Sequence, residues 1–197
     1  MHAAQQLALA ATVLTTRHPR TVSSFYSNLV TRPTGRAVRL GVEQQLADFS
    51  EATGPCLSIL DFSQVRIMDY SCADEIVAKL LLRYAEMDPP VPVYFLARGL
   101  HEHHMESVEA VLDRHSLLLA AEDITGNLRL FGPCSSEEAR CWDVLVRRGG
   151  CRSSEFAALC GLELPAVNST VRRLLSARVV LNLSDDVIRP VSHLNHA

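Results

Sequence analysis

Residues 57–84, LSILDFSQVRIMDYSCADEIVAKLLLRY, constrain the fold more than any other part of the chain. The stretch opens with an apolar run, LSILDF, of strand length. A polar turn follows through Asp69-Tyr70-Ser71. Beyond it Ala73, Ile76, Val77, Leu80, Leu81 and Tyr84 alternate between spacings of three and one, which is one face of a helix. Ser71 is the expected N-cap, and Asp74 stands three residues on, at the capping-box position. Asp74 and Glu75 also put negative charge where the helix N-terminus is positive. The next apolar run, VPVYFL at 91–96, then predicts a strand–helix–strand unit.

The residues of this unit also carry a family resemblance. A strand ending in Asp61, a loop closing with Asp69-Tyr70-Ser71-Cys72 and a helix opening there resemble the STAS fold of anti-sigma factor antagonists and sulfate-transporter tails. Ser71-Cys72-Ala73-Asp74-Glu75 resembles more closely a STAS-like family of unknown function with Ser-x-Ala-Asp-Glu at the helix start. Thr31-Arg32-Pro33-Thr34-Gly35-Arg36-Ala37-Val38-Arg39 resembles that family's first helix. The likeness covers roughly residues 25–131. It implies a mixed sheet packed by helices, a protein partner or ligand, and a regulatory loop at Asp69, Tyr70, Ser71 and Asp74. In the antagonists the first serine after the aspartate is phosphorylated. That position is Tyr70 here, and Ser71 is either a substitute acceptor or simply the helix cap.

Of 197 residues, 48% are hydrophobic and 21% charged, so the chain is expected to bury a core. No apolar run is long enough to span a bilayer. The opening MHAAQQLALAATVLTTR lacks a basic leader and is read as a strand or helix, not a signal peptide, which places the protein in the cytoplasm by expectation. Six cysteines make no Cys-x-x-Cys pair and read as small buried hydrophobes. Lys79 is the single lysine beside eighteen arginines. The last 64 residues carry a net charge of +1 and the first 133 a net of −4, so neither half is a strongly basic nucleic-acid binder by composition.

Along the chain, residues 1–24 form an N-terminal segment without clear period, with a strand expected at 8–15 and a break at His18-Pro19. Arg32-Pro33-Thr34-Gly35 reads as a turn, and residues 36–49 as a helix presenting Val38, Val42, Leu46 and Phe49. Residues 100–115 read as a further helix with Met105, Val108, Val111 and Leu112 inward. Its His101-Glu102-His103-His104 has two readings, a metal site or a solvated helix entrance; without an accompanying Cys or carboxylate set, no metal and no cofactor are expected. Residues 117–121 and 128–131 read as strands, joined by a turn at Ile124-Thr125-Gly126-Asn127. The alternation predicts an α/β fold with a mixed sheet over 25–133. No phosphate-binding glycine loop and no nucleophile–base spacing occurs, so no enzyme is expected.

Gly132-Pro133 marks a boundary. Residues 137–148 predict a helix with Trp142, Leu145 and Val146 inward, stopped by Gly149-Gly150. Ser153 is expected to cap a short helix ending at Gly161, and Pro165 to open a third helix to about Ala177 with Val167, Val171 and Leu174 on one face and Arg178 at the rim. VVLNLSDDVIRPV reads as two short strands. Three helices and a hairpin over 134–197 resemble a winged helix–turn–helix domain, expected to fold as a separate lobe. The third helix would then offer Ser169, Arg172, Arg173 and Ser176 to DNA. Asp185-Asp186 at the hairpin tip would repel phosphates, and protein docking stays open as the alternative. The expected function is a non-enzymatic bacterial-type regulator, a STAS-like sensing module coupled to a DNA-binding winged helix. The alternative is an interaction adaptor in a signalling or sigma-factor switching pathway without DNA binding.

Overall fold

A computed structural model describes residues 16–21, 27–47, 55–86, 92–123, 125–183 and 186–195. Its centre is a five-stranded sheet in the order β1-β3-β5-β6-β7, built from β1 (Thr16–Thr21), β3 (Cys56–Asp61), β5 (Val93–Leu100), β6 (Leu119–Asp123) and β7 (Leu128–Phe131). The first four run parallel and β7 is antiparallel to β6. The fold is α/β with a mixed sheet, as the alternation predicted. The strand expected at 8–15 lies outside the described residues. β1 instead runs through His18-Pro19, the expected break. Proline is tolerated there because, among the described residues, β1 is an edge strand and Pro19 pairs with β3 alone.

One face of the sheet carries α1 (Arg32–Ala47), α2 and α3 (Glu102–His115). The helix α2 is continuous over three pieces, an α-helical turn Tyr70–Ala73, a π-helical stretch Asp74–Ala78 and α-helical turns Lys79–Glu86. A two-residue parallel pair, β2 (Asn28–Leu29) with β4 (Ile67–Met68), closes the end of this layer. The α2 stripe behaves as its spacing requires: Ala73, Ile76, Val77, Leu80 and Tyr84 are buried and Leu81 packs at the margin. Two boundaries differ from the sequence reading. Residues 32–35, expected as a turn, are the first turn of α1, because proline is accommodated in an opening turn that needs no N–H from it. Leu100 ends β5 and does not begin α3. Phe49 lies outside the described residues.

The C-terminal elements follow in the order α4 (Ser136–Arg148), β8 (Cys151–Arg152), α5 (Ser153–Cys160), α6 (Leu164–Ser176), β9 (Val180–Leu183) and β10 (Val187–Pro190), ending in a 3₁₀ turn, Val191–Asn195. The strands form a small antiparallel sheet in the order β8-β10-β9. Ser135 caps α4, accepting from the Glu138 N–H at 3.1 Å while the Glu138 carboxylate accepts from the Ser135 N–H at 2.8 Å. Ser153, expected as a cap, is the first residue of α5, and Arg152 holds the cap position. Gly149 and Gly161 close α4 and α5 in the left-handed conformation that glycine adopts without cost.

These elements do not stand apart from the front sheet. On β3, Cys56 and Leu60 join the core under α1–α3, whereas Leu57 and Ile59 face the other way. Leu96 on β5, Ala120 on β6 and the adjoining Leu118 face the same way as Leu57. That second face is covered by Trp142 and Leu145 of α4, Phe156 of α5, Val167 and Leu174 of α6, and Val191 and Leu194 of the final turn, all in one buried cluster. The expectation of a separate C-terminal lobe is therefore corrected. Its helices supply the third layer of an α/β/α arrangement, because the central strands are apolar on both faces and cannot leave one in water.

Candidate functional site

The start of α2 gathers most of the charged groups that the fold buries. Asp69 is the N-cap: one carboxylate oxygen accepts from the Cys72 backbone N–H at 2.8 Å and from the Ser71 hydroxyl at 2.9 Å. Ser71, expected as the cap, thus lies within the first turn and serves Asp69 as a hydrogen-bond donor. Both residues are good caps; the earlier one prevails because the helix begins at Tyr70. Burial pushes the Asp69 carboxyl up, but the hydrogen bonds from Cys72 and Ser71 outweigh it and hold it below its ordinary value. The Tyr70 hydroxyl accepts from the exposed Arg114 at 3.1 Å. Against this turn, α1 approaches so closely that a Cβ on Gly35 would lie 2.9 Å from the Cys72 Cα, and the Cys72 thiol donates to the Thr31 carbonyl at 3.0 Å.

Asp74 and Glu75 follow, 6% and 2% exposed, as neighbours in the π-helical stretch. The Lys79 N–H reaches back five residues to the Asp74 carbonyl, the bond that defines the wider turn. Arg32 of α1 bridges the two carboxylates, at 2.9 Å from Asp74 and 3.0 Å from Glu75. His115, at the end of α3, meets Asp74 at 3.0 Å. Glu75 also accepts from the Lys79 ammonium, and Arg39 contacts it at 3.2 Å. Arg39 further pairs with the buried Glu43 at 2.6 Å, which Arg83 meets from α2 at 3.1 Å. Three buried carboxylates thus face four permanent cations, so the network ties α1, α2 and α3 together and ends slightly positive. Burial pushes the Asp74 and Glu75 carboxyls up; the bonds from Arg32 and His115 to Asp74, and from Lys79 and Arg32 to Glu75, hold both below their ordinary values.

A second cluster sits at the start of α3. His101 precedes the helix, and its ring lies 5.5 Å centre to centre from those of His103 and His104, which are 4.1 Å apart. His103 contacts the Arg66 carbonyl at 2.9 Å. Nδ1 of the fully buried His104 accepts from the His101 N–H at 3.3 Å, and its Nε2 has no hydrogen-bond partner among the described residues. Among those residues no group of three or more His, Cys, Asp or Glu is placed to hold a metal ion. Burial, then the neighbouring His103 and His101, push the His104 imidazole down to about 4 from an ordinary 6.5. A histidine depressed in the folded state adds stability above pH 6.5 and loses it as pH falls toward 4. Unfolding free energies from urea titrations should therefore fall across that window, by up to roughly 3 kcal/mol from this residue, and the slope against pH should shrink in a His104→Gln variant.

The four α6 residues expected to meet DNA are all exposed in part, but they divide. Ser169 and Arg172 lie on the open side. Arg173 forms an ion pair through Nε with Glu138 of α4 at 3.3 Å. Ser176 donates to the Arg172 carbonyl at 2.9 Å and, with Arg173, lines a cleft shared with Tyr84 and Phe95. Arg178, expected at the rim, turns inward and donates to the Val93 carbonyl at 3.1 Å. Asp185 lies outside the described residues; Asp186 is exposed.

No family model matches the chain, and no curated protein matches it in sequence. The site rests on its own geometry. Asp69, Tyr70, Ser71 and Asp74 do come together at one turn. The sequence reading placed Glu75 at the helix start without a partner, and missed Arg32, Arg39, Glu43, Lys79, Arg83 and His115. The available signal was Arg39 four residues before Glu43 on an amphipathic helix, opposite two consecutive acids at a buried helix start. No described helix is long and apolar enough to cross a membrane.

Proposed function

We propose that this chain is a non-enzymatic, bacterial-type transcriptional regulator in which a STAS-like α/β layer governs a DNA-binding winged helix. The observation that carries the reading is the order helix, strand, helix, helix, strand, strand from α4 to β10, with the first strand paired to the last. In this reading α6 is the second helix of a helix–turn–helix, the one that enters the major groove with its N-terminal residues on base edges. Asn168, Ser169 and Arg172 of α6 are exposed, while Arg173 and Ser176 near its C-terminal end line a cleft against the front layer. Arg172 is the residue with the reach and charge to contact guanine or phosphate.

Partner binding or modification at Tyr70-Ser71 would act on the front layer. A phosphate on Ser71 would face the Asp69 carboxylate that now accepts its hydroxyl, and would break the cap. A phosphate on Tyr70 would instead meet Arg114.

The second reading, a protein-docking adaptor, is favoured by Leu164. It is 59% exposed at the open end of α6, where DNA would offer phosphates. Retention of duplex genomic fragments at low salt separates the two. The regulator should bind with an affinity that falls steeply with salt. Arg172→Ala should weaken binding about tenfold, and Arg173→Ala less, because Glu138 already engages that side chain. Absence of any retained fragment at low salt would leave the adaptor reading.

A further inference from the structure

We propose that the cleft between α2, β5 and the C-terminal end of α6 is a binding site for a small carboxylic acid with one ring or an equally short apolar body. The cleft measures about 160 Å³, the size at which an apolar protein cavity of about 150 Å³ takes up benzene. Its walls are apolar side chains from both layers, Leu81 and Tyr84 of α2, Phe95 of β5, and Val179 after α6. Tyr84 and Phe95 meet edge to face, with ring centres 5.4 Å apart, and form the apolar floor of the cleft.

The polar end of the cleft fixes the charge of the ligand. Arg173, Ser176 and Arg178 line it, and Arg178 already donates to the Val93 carbonyl at 3.1 Å. Arg173 uses Nε on Glu138 at 3.3 Å and makes no other side-chain hydrogen bond or ion pair among the described residues, so its terminal amino groups remain for a ligand. Glu138 is itself anchored, its other oxygen accepting from the Ser135 N–H at the positive end of α4. It therefore acts as a brace that orients the guanidinium toward the opening. A carboxylate is the group whose two oxygens match a guanidinium edge. The remaining apolar volume then sets the body of the acid. The site joins the two helical layers beside the starts of β5 and β6, and it stands independently of whether α6 contacts DNA.

Titration calorimetry of the full chain with benzoate, hexanoate and the neutral benzamide tests the site. One equivalent of benzoate should bind, and benzamide should bind at least tenfold more weakly. Arg173→Gln should erase that tenfold preference without lowering the melting temperature. Ser176→Phe, at an exposed position, should fill the cleft and abolish binding of both. Equal affinity for benzoate and benzamide would overturn the proposal. So would silence from both acids up to about 10 mM, the range of very weak association.

Discussion

A chain ending at Pro133 should fail to give a soluble, cooperatively folding α/β layer. The cut would uncover Leu57, Ile59, Leu96 and Leu118, which are 0–3% exposed in the full chain. At about 1.5–3 kcal/mol for each large aliphatic side chain, the loss is of the same order as the ~5–15 kcal/mol that keeps a typical domain folded. It would also create a contiguous apolar face of the kind that drives association. The expected result is aggregation, or a species that binds a hydrophobic dye and melts without a sharp transition. A soluble monomer with a sharp transition and no dye binding would contradict the shared core. The experiment also bears on regulation. If the last sixty or so residues cover the second face of the sheet, the front layer cannot release them as a free lobe. Any signal from Tyr70-Ser71 to α6 has to travel through side chains that are already packed.

The second large effect is expected at Arg39. It links buried Glu75 of α2 to buried Glu43 of α1 and is the least exposed cation of the network. Arg39→Met keeps the length and apolar stem of the side chain but removes the charge. It leaves two buried acids facing each other with only the more exposed Lys79, Arg32 and Arg83 to offset them. Breaking a buried ion pair from one side costs about 3–5 kcal/mol, which for a chain of this length lowers the melting temperature by on the order of 10 °C. Thermal unfolding at neutral pH measures it. The sign of the pH dependence follows from the carboxyls. Asp74 and Glu75 are held below their ordinary values of 3.8 and 4.5, so their contribution is complete above pH 4.5 and is lost as pH falls through their folded values. If Arg39→Met unfolds at the same temperature as the parent, the network contributes little, and the burial of these acids needs another account.

Much of the fold was legible because hydrophobic spacing is a local property. The α2 stripe, the strands at residues 56–61, 93–100 and 119–123, and the three C-terminal helices all follow from it. The placement of the last third was also written in the sequence, though less openly. LSIL and VYFLA are continuous apolar runs, the pattern of strands buried on both faces. In α4, Cys141, Trp142, Val144 and Leu145 are all buried, which spans about 160° of its circumference, wider than a single seam requires. Gly132-Pro133 suggested a boundary, yet a turn and an independent lobe use the same residues.

The site was less legible. Nothing in DEIVA marks a π-helical turn, and that turn determines how Asp74, Glu75 and Lys79 are disposed. Asp69 and Ser71 are equally good caps in sequence, and only the tertiary position of Tyr70 decides between them. The partition of the α6 residues likewise depends on Glu138, thirty-five residues away from Arg173.

The thiols of this chain act as built-in markers of its internal motions. Cys72 is sealed beneath α1 and Cys141 beneath the C-terminal helices, and neither side chain reaches solvent. Burial first of all raises both, Cys72 to about 11 and Cys141 to about 12, so neither carries appreciable thiolate at neutral pH. An alkylating reagent can reach Cys72 only when the front helices lift from the sheet, and Cys141 only when the rear ones do. Comparing the two labelling rates therefore reports whether the two halves of the molecule breathe together or by turns, with no probe added to the native chain.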